Sequence, residues 1–253
     1  VMVMKIRKRI LIISLTLLAG FTCSAGAVTK GMKKVIDDAL DFSVKQSMSM
    51  FNEMKDQKGI LPRTAENGKM ITCESAWWTS GFYPGTLWYC YEYSNDPQIR
   101  AAAEEMTSRV EQQKYTTSNH DVGFIINCSF GNGYRLTHNE TYRKVIETAA
   151  KSLSTRFHPV TGCTRSWNSK KWQFSVIIDN MMNLELLNVA SSLTGDNAYY
   201  NMAKSHADRT MINHFRPDGS SYHVVSYDTI TGKVLNQAVS YTHLRAHETK
   251  ANL

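Results

Sequence analysis

Three turn signals of one kind divide this chain and constrain its architecture. Ser94-Asn95-Asp96-Pro97, Thr137-His138-Asn139 and Thr194-Gly195-Asp196 each set an Asn or Asp directly before a helix-forming segment. A short polar side chain at that place accepts a hydrogen bond from the unpaired N–H groups of the first turn. Asp96, Asn139 and Asp196 therefore read as N-caps, and Pro97 suits the first helical position. The helices that follow are amphipathic, as in Tyr142, Val145, Ile146, Ala149, Ala150 and Leu153.

A more apolar segment precedes each turn: about Phe82 to Tyr93, Val122 to Leu136, and Asn180 to Leu193. A helix apolar around most of its circumference belongs inside, and one with a polar face belongs outside. With 43 and 57 residues between successive caps, the plan is a repeat of inner and outer helices. Such repeats stack into solenoids or close into α/α toroids. Strand signals are scarce, the exception being Tyr222 to Tyr227, a turn over Asp228 to Gly232, and Lys233-Val234-Leu235, which predict a hairpin.

Counting back from the caps gives a further regularity. Trp78 lies 18 residues before Asp96, Asp121 lies 18 before Asn139, and Asp179 lies 17 before Asp196. All three fall at the N-terminal mouth of an inner helix, and in a toroid those mouths share one end. Helix N-termini favour anions, so capping is the competing explanation for each aspartate.

The ends of the chain are of another kind. Lys5, Arg7, Lys8 and Arg9, the apolar run Ile10 to Ala19 and Ala25-Gly26-Ala27 make residues 1–27 a signal peptide, with translation starting at Met4 and export to the periplasm. The apolar run is shorter than the roughly 20 residues of a membrane span. Lipidation at Cys23 is the alternative, though Gly20-Phe21-Thr22 fits it poorly. Taking the four leader charges and the net charge of one in residues 240–253 from the formal +7 leaves +2 for the body, so a nucleic-acid partner has no support. Cys73, Cys90, Cys128 and Cys163 form no CxxC pair, and no metal or cofactor site is expected; Cys90 and Cys128 read as buried thiols.

The strings Trp78-Thr79-Ser80-Gly81-Phe82-Tyr83-Pro84-Gly85, His120-Asp121-Val122-Gly123-Phe124 and Ile178-Asp179-Asn180-Met181-Met182-Asn183-Leu184 closely resemble the unsaturated glucuronyl hydrolases, glycoside hydrolase family 88. Arg165-Ser166-Trp167 and Ser220 to Val225 fit as well, and the resemblance runs in order from Val35 to Asn236. It implies an all-α fold, an (α/α)6 barrel of twelve helices, of which about seven are expected here. It also implies removal of an unsaturated uronic acid from the non-reducing end of lyase-generated oligosaccharides by hydration of the carbon 4–5 double bond. Asp179 matches the family's general acid and base, and Asp121 its second aspartate. Trp78, Phe82 and Trp167 match aromatic positions that stack on sugars, with Trp172 close by, and His120 and His223 match polar positions near the uronate.

Trp77 and Trp88 are expected in the core, and Gly131-Asn132-Gly133 is expected to let helices approach closely or kink. The rival readings are an unsaturated rhamnogalacturonyl hydrolase, which the His-Asp-Val-Gly-Phe and Ser-Ser-Tyr-His-Val-Val strings disfavour, and a non-catalytic sugar-binding fragment. The catalytic part is expected over 28–238. Residues 239–253 resemble a translated sequencing adapter, so the chain is expected to be cut short before the family's Gln-Gly and Trp-x-Arg-Gly segments.

Overall fold

The computed structural model describes residues 29–239. The expected leader over 1–27 and nearly all of the expected foreign tail over 239–253 lie outside them. Two units meet at Phe42 and Ser43, within helix α1 (Lys30–Met54). The described part of the first is the amino-terminal portion of that helix, which carries the exposed pairs Lys33–Asp37 and Lys34–Asp38. The second unit holds everything that follows.

In the second unit the inner helices are α2 (Phe82–Ser94), α4 and α6 (Asn180–Thr194), and the outer ones are α3 (Pro97–Ser108), α5 (Glu140–Ser154) and α7 (Asn197–Asn213). Helix α4 is one rod of three segments, Val122–Ile126, a π turn over Asn127–Gly131, and Asn132–Thr137. Each outer helix starts as its sequence requires: Asp96 accepts from Gln98 N–H, Asn139 from Thr141 N–H, and Asp196 from Ala198 N–H. The residues ending the inner helices, Asn95, His138 and Gly195, turn the chain through left-handed conformations.

Apolar burial holds the hairpins together. Ile125, Ile126 and Phe130 of α4 pack with Ile146 and Leu153 of α5 and with Leu186 and Leu187 of α6, each such side chain contributing about 1.5–3 kcal/mol. Trp88 is fully buried between α2 and α3, and its indole N–H donates to Thr107 Oγ1 at 2.9 Å. The Gly131–Gly133 expectation is met at Gly133, where a Cβ would come within 2.9 Å of Trp88 and 2.7 Å of Tyr142.

Beside the helices, short strands among the described residues form three small antiparallel sheets, more than the one hairpin that the sequence signals. Strands β1 (Ile60–Glu66) and β2 (Lys69–Glu74) form a hairpin. Its turn is Asn67-Gly68, both at positive φ, which is the geometry that matches strand twist. Strands β3 (Phe157–His158) and β4 (Cys163–Thr164) form a second. The expected hairpin is β6 (Val224–Tyr227) with β7 (Val234–Ala238), and β5 (Ser175–Ile177) adds to its other edge. Trp77 is not in the core: it lies in the turn before α2, 38% exposed, with the Arg63 guanidinium 4.1 Å above its ring. Cys90 is buried as expected, whereas Cys128 is only half-buried. Among the described residues no helix is long and apolar enough to cross a membrane.

Candidate active site

Asp121 and Asp179 stand immediately before α4 and α6, both with φ −65° and ψ −13°. Capping does not explain them. The backbone there is helical rather than extended, and neither side chain makes a cap hydrogen bond, in contrast to Asp96, Asn139 and Asp196. Trp78 sits four residues ahead of α2 in a turn and is 44% exposed.

Close backbone approach brings these mouths together. A Cβ on Gly81 would come 2.3 Å from the Ile125 carbonyl oxygen, so the start of α2 lies directly on α4. A Cβ on Gly123 would come 2.4 Å from Asn183 Oδ1, so α4 lies as tightly on α6. Only a missing side chain permits such contacts.

A row of extended segments aligns the loops. His120 N–H donates to Ser166 O at 2.8 Å, and Asn119 bridges Trp167. Ser166 N–H donates to Ser175 O, and Ile177 N–H to Ser166 Oγ. Ile178 N–H donates to His223 O at 3.0 Å, directly before Asp179. His120, Asp121, Trp167, Asp179 and His223 thus lie on or directly beside segments that these hydrogen bonds tie together.

Aromatic rings continue the grouping. Trp78 meets Phe82 at 5.8 Å and Phe124 at 6.2 Å between ring centroids, and Phe124 meets His120, which in turn meets Trp167 at 6.5 Å. Trp172, the neighbour that competed with Trp167 in the sequence, is buried in a small cluster with Ile177 and Val224.

The electrostatics follow from burial. His120 is 2% exposed, and loss of hydration pushes its pKa down to about 3, so the ring is neutral. Its Nε2 lies 3.3 Å from Asp121 Oδ1. Burial pushes the Asp121 carboxyl up to about 6, against the opposing charge of Arg156. The sequence did not single out Arg156 or Asn183. Asn183 falls inside a quoted motif and one helical turn after Asp179, on the same face, which was an available signal. Arg156 had none, since its partners are two loop carbonyls and the Asn168 side chain, which only the fold brings to it. No group of His, Cys, Asp or Glu among the described residues is arranged to hold a metal ion.

The chain aligns with the unsaturated glucuronyl hydrolase of Formosa agariphila at 48% identity over 160 residues, covering 62% of this chain and 40% of that protein. It aligns with the unsaturated chondroitin disaccharide hydrolase of Streptococcus pyogenes serotype M1 at 32% over 203 residues, 78% of this chain and 50% of the other. The crystal structure of an unsaturated glucuronyl hydrolase specific for heparin superimposes with a TM-score of 0.74 at 43% identity, over 79% of this chain and 55% of that one. The chain belongs to the unsaturated glucuronyl hydrolases. It spans about half the length of the curated relatives it matches. No family model matches it. The helical hairpins are those of the α/α toroid of unsaturated glucuronyl hydrolases, and the two aspartates stand at the starts of adjacent inner helices of that frame.

Proposed function

We propose that this site hydrates the carbon 4–5 double bond of an unsaturated uronic acid at the non-reducing end of an oligosaccharide left by a polysaccharide lyase. The observation that carries the reading is the pair of aspartates at neighbouring inner-helix mouths whose side chains do no capping, beside the aromatic run from Trp78 to Trp167. The bond is a vinyl ether. A carboxylic acid at Asp179 gives its proton to carbon 4, leaving an oxocarbenium-like carbon 5. Water adds there, and its proton returns to the Asp179 carboxylate. The resulting hemiketal opens and releases the rest of the sugar chain, so acid and base are one group used twice.

Asp121 holds a substrate hydroxyl and, when ionised, raises its neighbour's affinity for a proton. Trp78, Phe82 and Trp167 stack on the sugar, His223 faces the uronate, and the buried His120 acts through Asp121 beside it. The relatives named for chondroitin disaccharides and for heparin support glycosaminoglycan fragments as the substrate class. On the same reading the described helices are part of a twelve-helix barrel, and residues 1–27 direct export to the periplasm. The test is the ultraviolet absorbance of an unsaturated disaccharide, which falls as the double bond is consumed. Asp179→Asn should slow that loss by about 10²–10⁴-fold; a rate equal to the wild type overturns the assignment.

A further inference from the structure

Arg156 follows the C-terminus of α5 and is 8% exposed, yet among the described residues it forms no ion pair within 4 Å of a carboxylate. Its guanidinium is directed at loops instead. Nε donates to Arg165 O at 2.8 Å, one terminal nitrogen donates to Thr117 O at 2.7 Å, and the other reaches Asn168 Oδ1 at 3.4 Å. Arg156 O also accepts Arg165 N–H at 2.9 Å. One side of this fork therefore holds the loop that delivers His120 and Asp121, and the other holds the loop that delivers Ser166 and Trp167. The planar donor geometry lets one side chain fix both at once, which a lysine ammonium does not reproduce.

A buried cation facing carbonyls costs more than a surface one, and burial with the nearby Arg165 charge pushes the Arg156 pKa down to about 10. It remains charged at neutral pH. The charged groups it feels are Arg165, which repels it, and Asp121, which attracts it.

We propose that Arg156 is a positioning residue: it ties the His120–Asp121 loop to the Trp167 loop, and from beyond ion-pair distance its charge favours the ionised Asp121 carboxylate. The catalytic consequence rests on the hydration reading; the geometry does not. If the guanidinium were only a filler of buried space, any substitution would loosen the molecule generally. The proposal instead separates two effects, one of charge and one of shape.

The experiment compares the wild-type chain with Arg156→Gln and Arg156→Lys, following the Asp121 carboxyl carbon by NMR through a pH titration and the backbone amides by hydrogen exchange. Arg156→Gln should move the Asp121 midpoint upward, since an attracting charge is lost, and Arg156→Lys should restore it. Both should quicken exchange at 117–121 and 166–168 while leaving α5 and α7 unchanged. A midpoint that stays put in Arg156→Gln, equal shifts in the two variants, or wild-type exchange at both loops in Arg156→Lys overturns the proposal. Should Arg156→Gln fail to fold, Arg156→Lys decides alone: a wild-type midpoint with faster loop exchange supports the proposal, and any other pattern overturns it. In a turnover assay Arg156→Gln should lose about 10²-fold in kcat. If the chain extended to the full length of its relatives consumes no unsaturated uronide, the hydration reading fails, while the titration still decides Arg156.

Discussion

The side-chain carbonyl of Asn183 accepts the backbone N–H of Phe124 at 2.7 Å, across the contact between two inner helices. That bond orients the amide, because a backbone N–H only donates. The Asn183 amide nitrogen, 3.3 Å from His120 Nδ1, must then be the donor to the ring. A neutral imidazole that accepts at Nδ1 carries its proton at Nε2, the ring atom that lies 3.3 Å from Asp121 Oδ1. The backbone of α4 thereby sets the tautomer of His120 through a residue of α6.

Asn183→Asp should reverse that setting. The new carboxylate still accepts from Phe124 but faces the Nδ1 lone pair, so the ring takes up a proton there. Nitrogen-15 spectra of the histidine ring should show neutral Nε2–H imidazole in the wild type and imidazolium in the variant at pH 7. The accompanying loss of stability should be roughly 2–4 kcal/mol, and an unchanged spectrum would refute the tautomer assignment.

Gly123→Ala should be among the most damaging small substitutions. Its methyl would sit 2.4 Å from Asn183 Oδ1 and 2.6 Å from the Asn183 Cα, and backbone cannot step aside as a side-chain tip can. Denaturant unfolding should report a loss of more than about 2 kcal/mol. Stability within about 0.5 kcal/mol of the wild type would mean that α4 and α6 are not in backbone contact.

The two kinds of helix-start residue should separate by stability. Asp96→Ala, Asn139→Ala and Asp196→Ala each remove a cap and should cost about 1 kcal/mol. Asp121→Asn removes none. Because burial raises its folded pKa to about 6, above the ordinary 3.8, the native state prefers a neutral group there. The variant should be more stable than the wild type above pH 6, and that gain should vanish as pH falls towards 4. A constant difference from pH 4 to 8 in urea melts would show the carboxyl is not perturbed.

Acid should act through histidines in the opposite sense. His120 and His206 are buried, and desolvation pushes each down to about 3 from 6.5. As pH drops below 6.5 the unfolded chain binds a proton at each that the native state refuses, so stability falls, by about 1.4 kcal/mol per pH unit for each such proton. His206 Nδ1 accepts the Thr164 N–H at 2.9 Å, so His206→Gln retains an acceptor without a titrating ring. Its stability, measured from pH 7 to 5, should decline less steeply than that of the wild type.

Capping chemistry made the alternation of inner and outer helices legible, because Asp96, Asn139 and Asp196 act on neighbours two residues away. The position of Asp121 and Asp179 was legible for the same reason, by counting from those caps. The Asn67-Gly68 turn was present in the sequence and is itself a hairpin signal, although its strands are too polar for periodicity to stand out. Trp77 was misjudged because a turn exposes what a helix would have buried. Strand β5, three residues long, and the fork of Arg156 could not be read locally. The strand pairs with residues 47 to 51 positions away, and the fork reaches Thr117, 39 positions back, as well as the nearer Arg165 and Asn168.

The π turn at Asn127–Gly131 gives α4 one residue more than an α-helix of the same rise. Each residue advances the side-chain direction by about 100°, so the two halves of the rod are out of phase with each other. The leading half keeps Gly123 against α6, and the trailing half turns Gly133 towards Trp88 and Tyr142. A straight α-helix from Val122 to Thr137 could not serve both neighbours with this spacing. Deleting a single residue between Gly123 and Gly133 would therefore rotate one neighbour's contact surface away from it. In that sense the rod works as a timing element, and the alignment of the helix mouths depends on a count of residues well inside the helix.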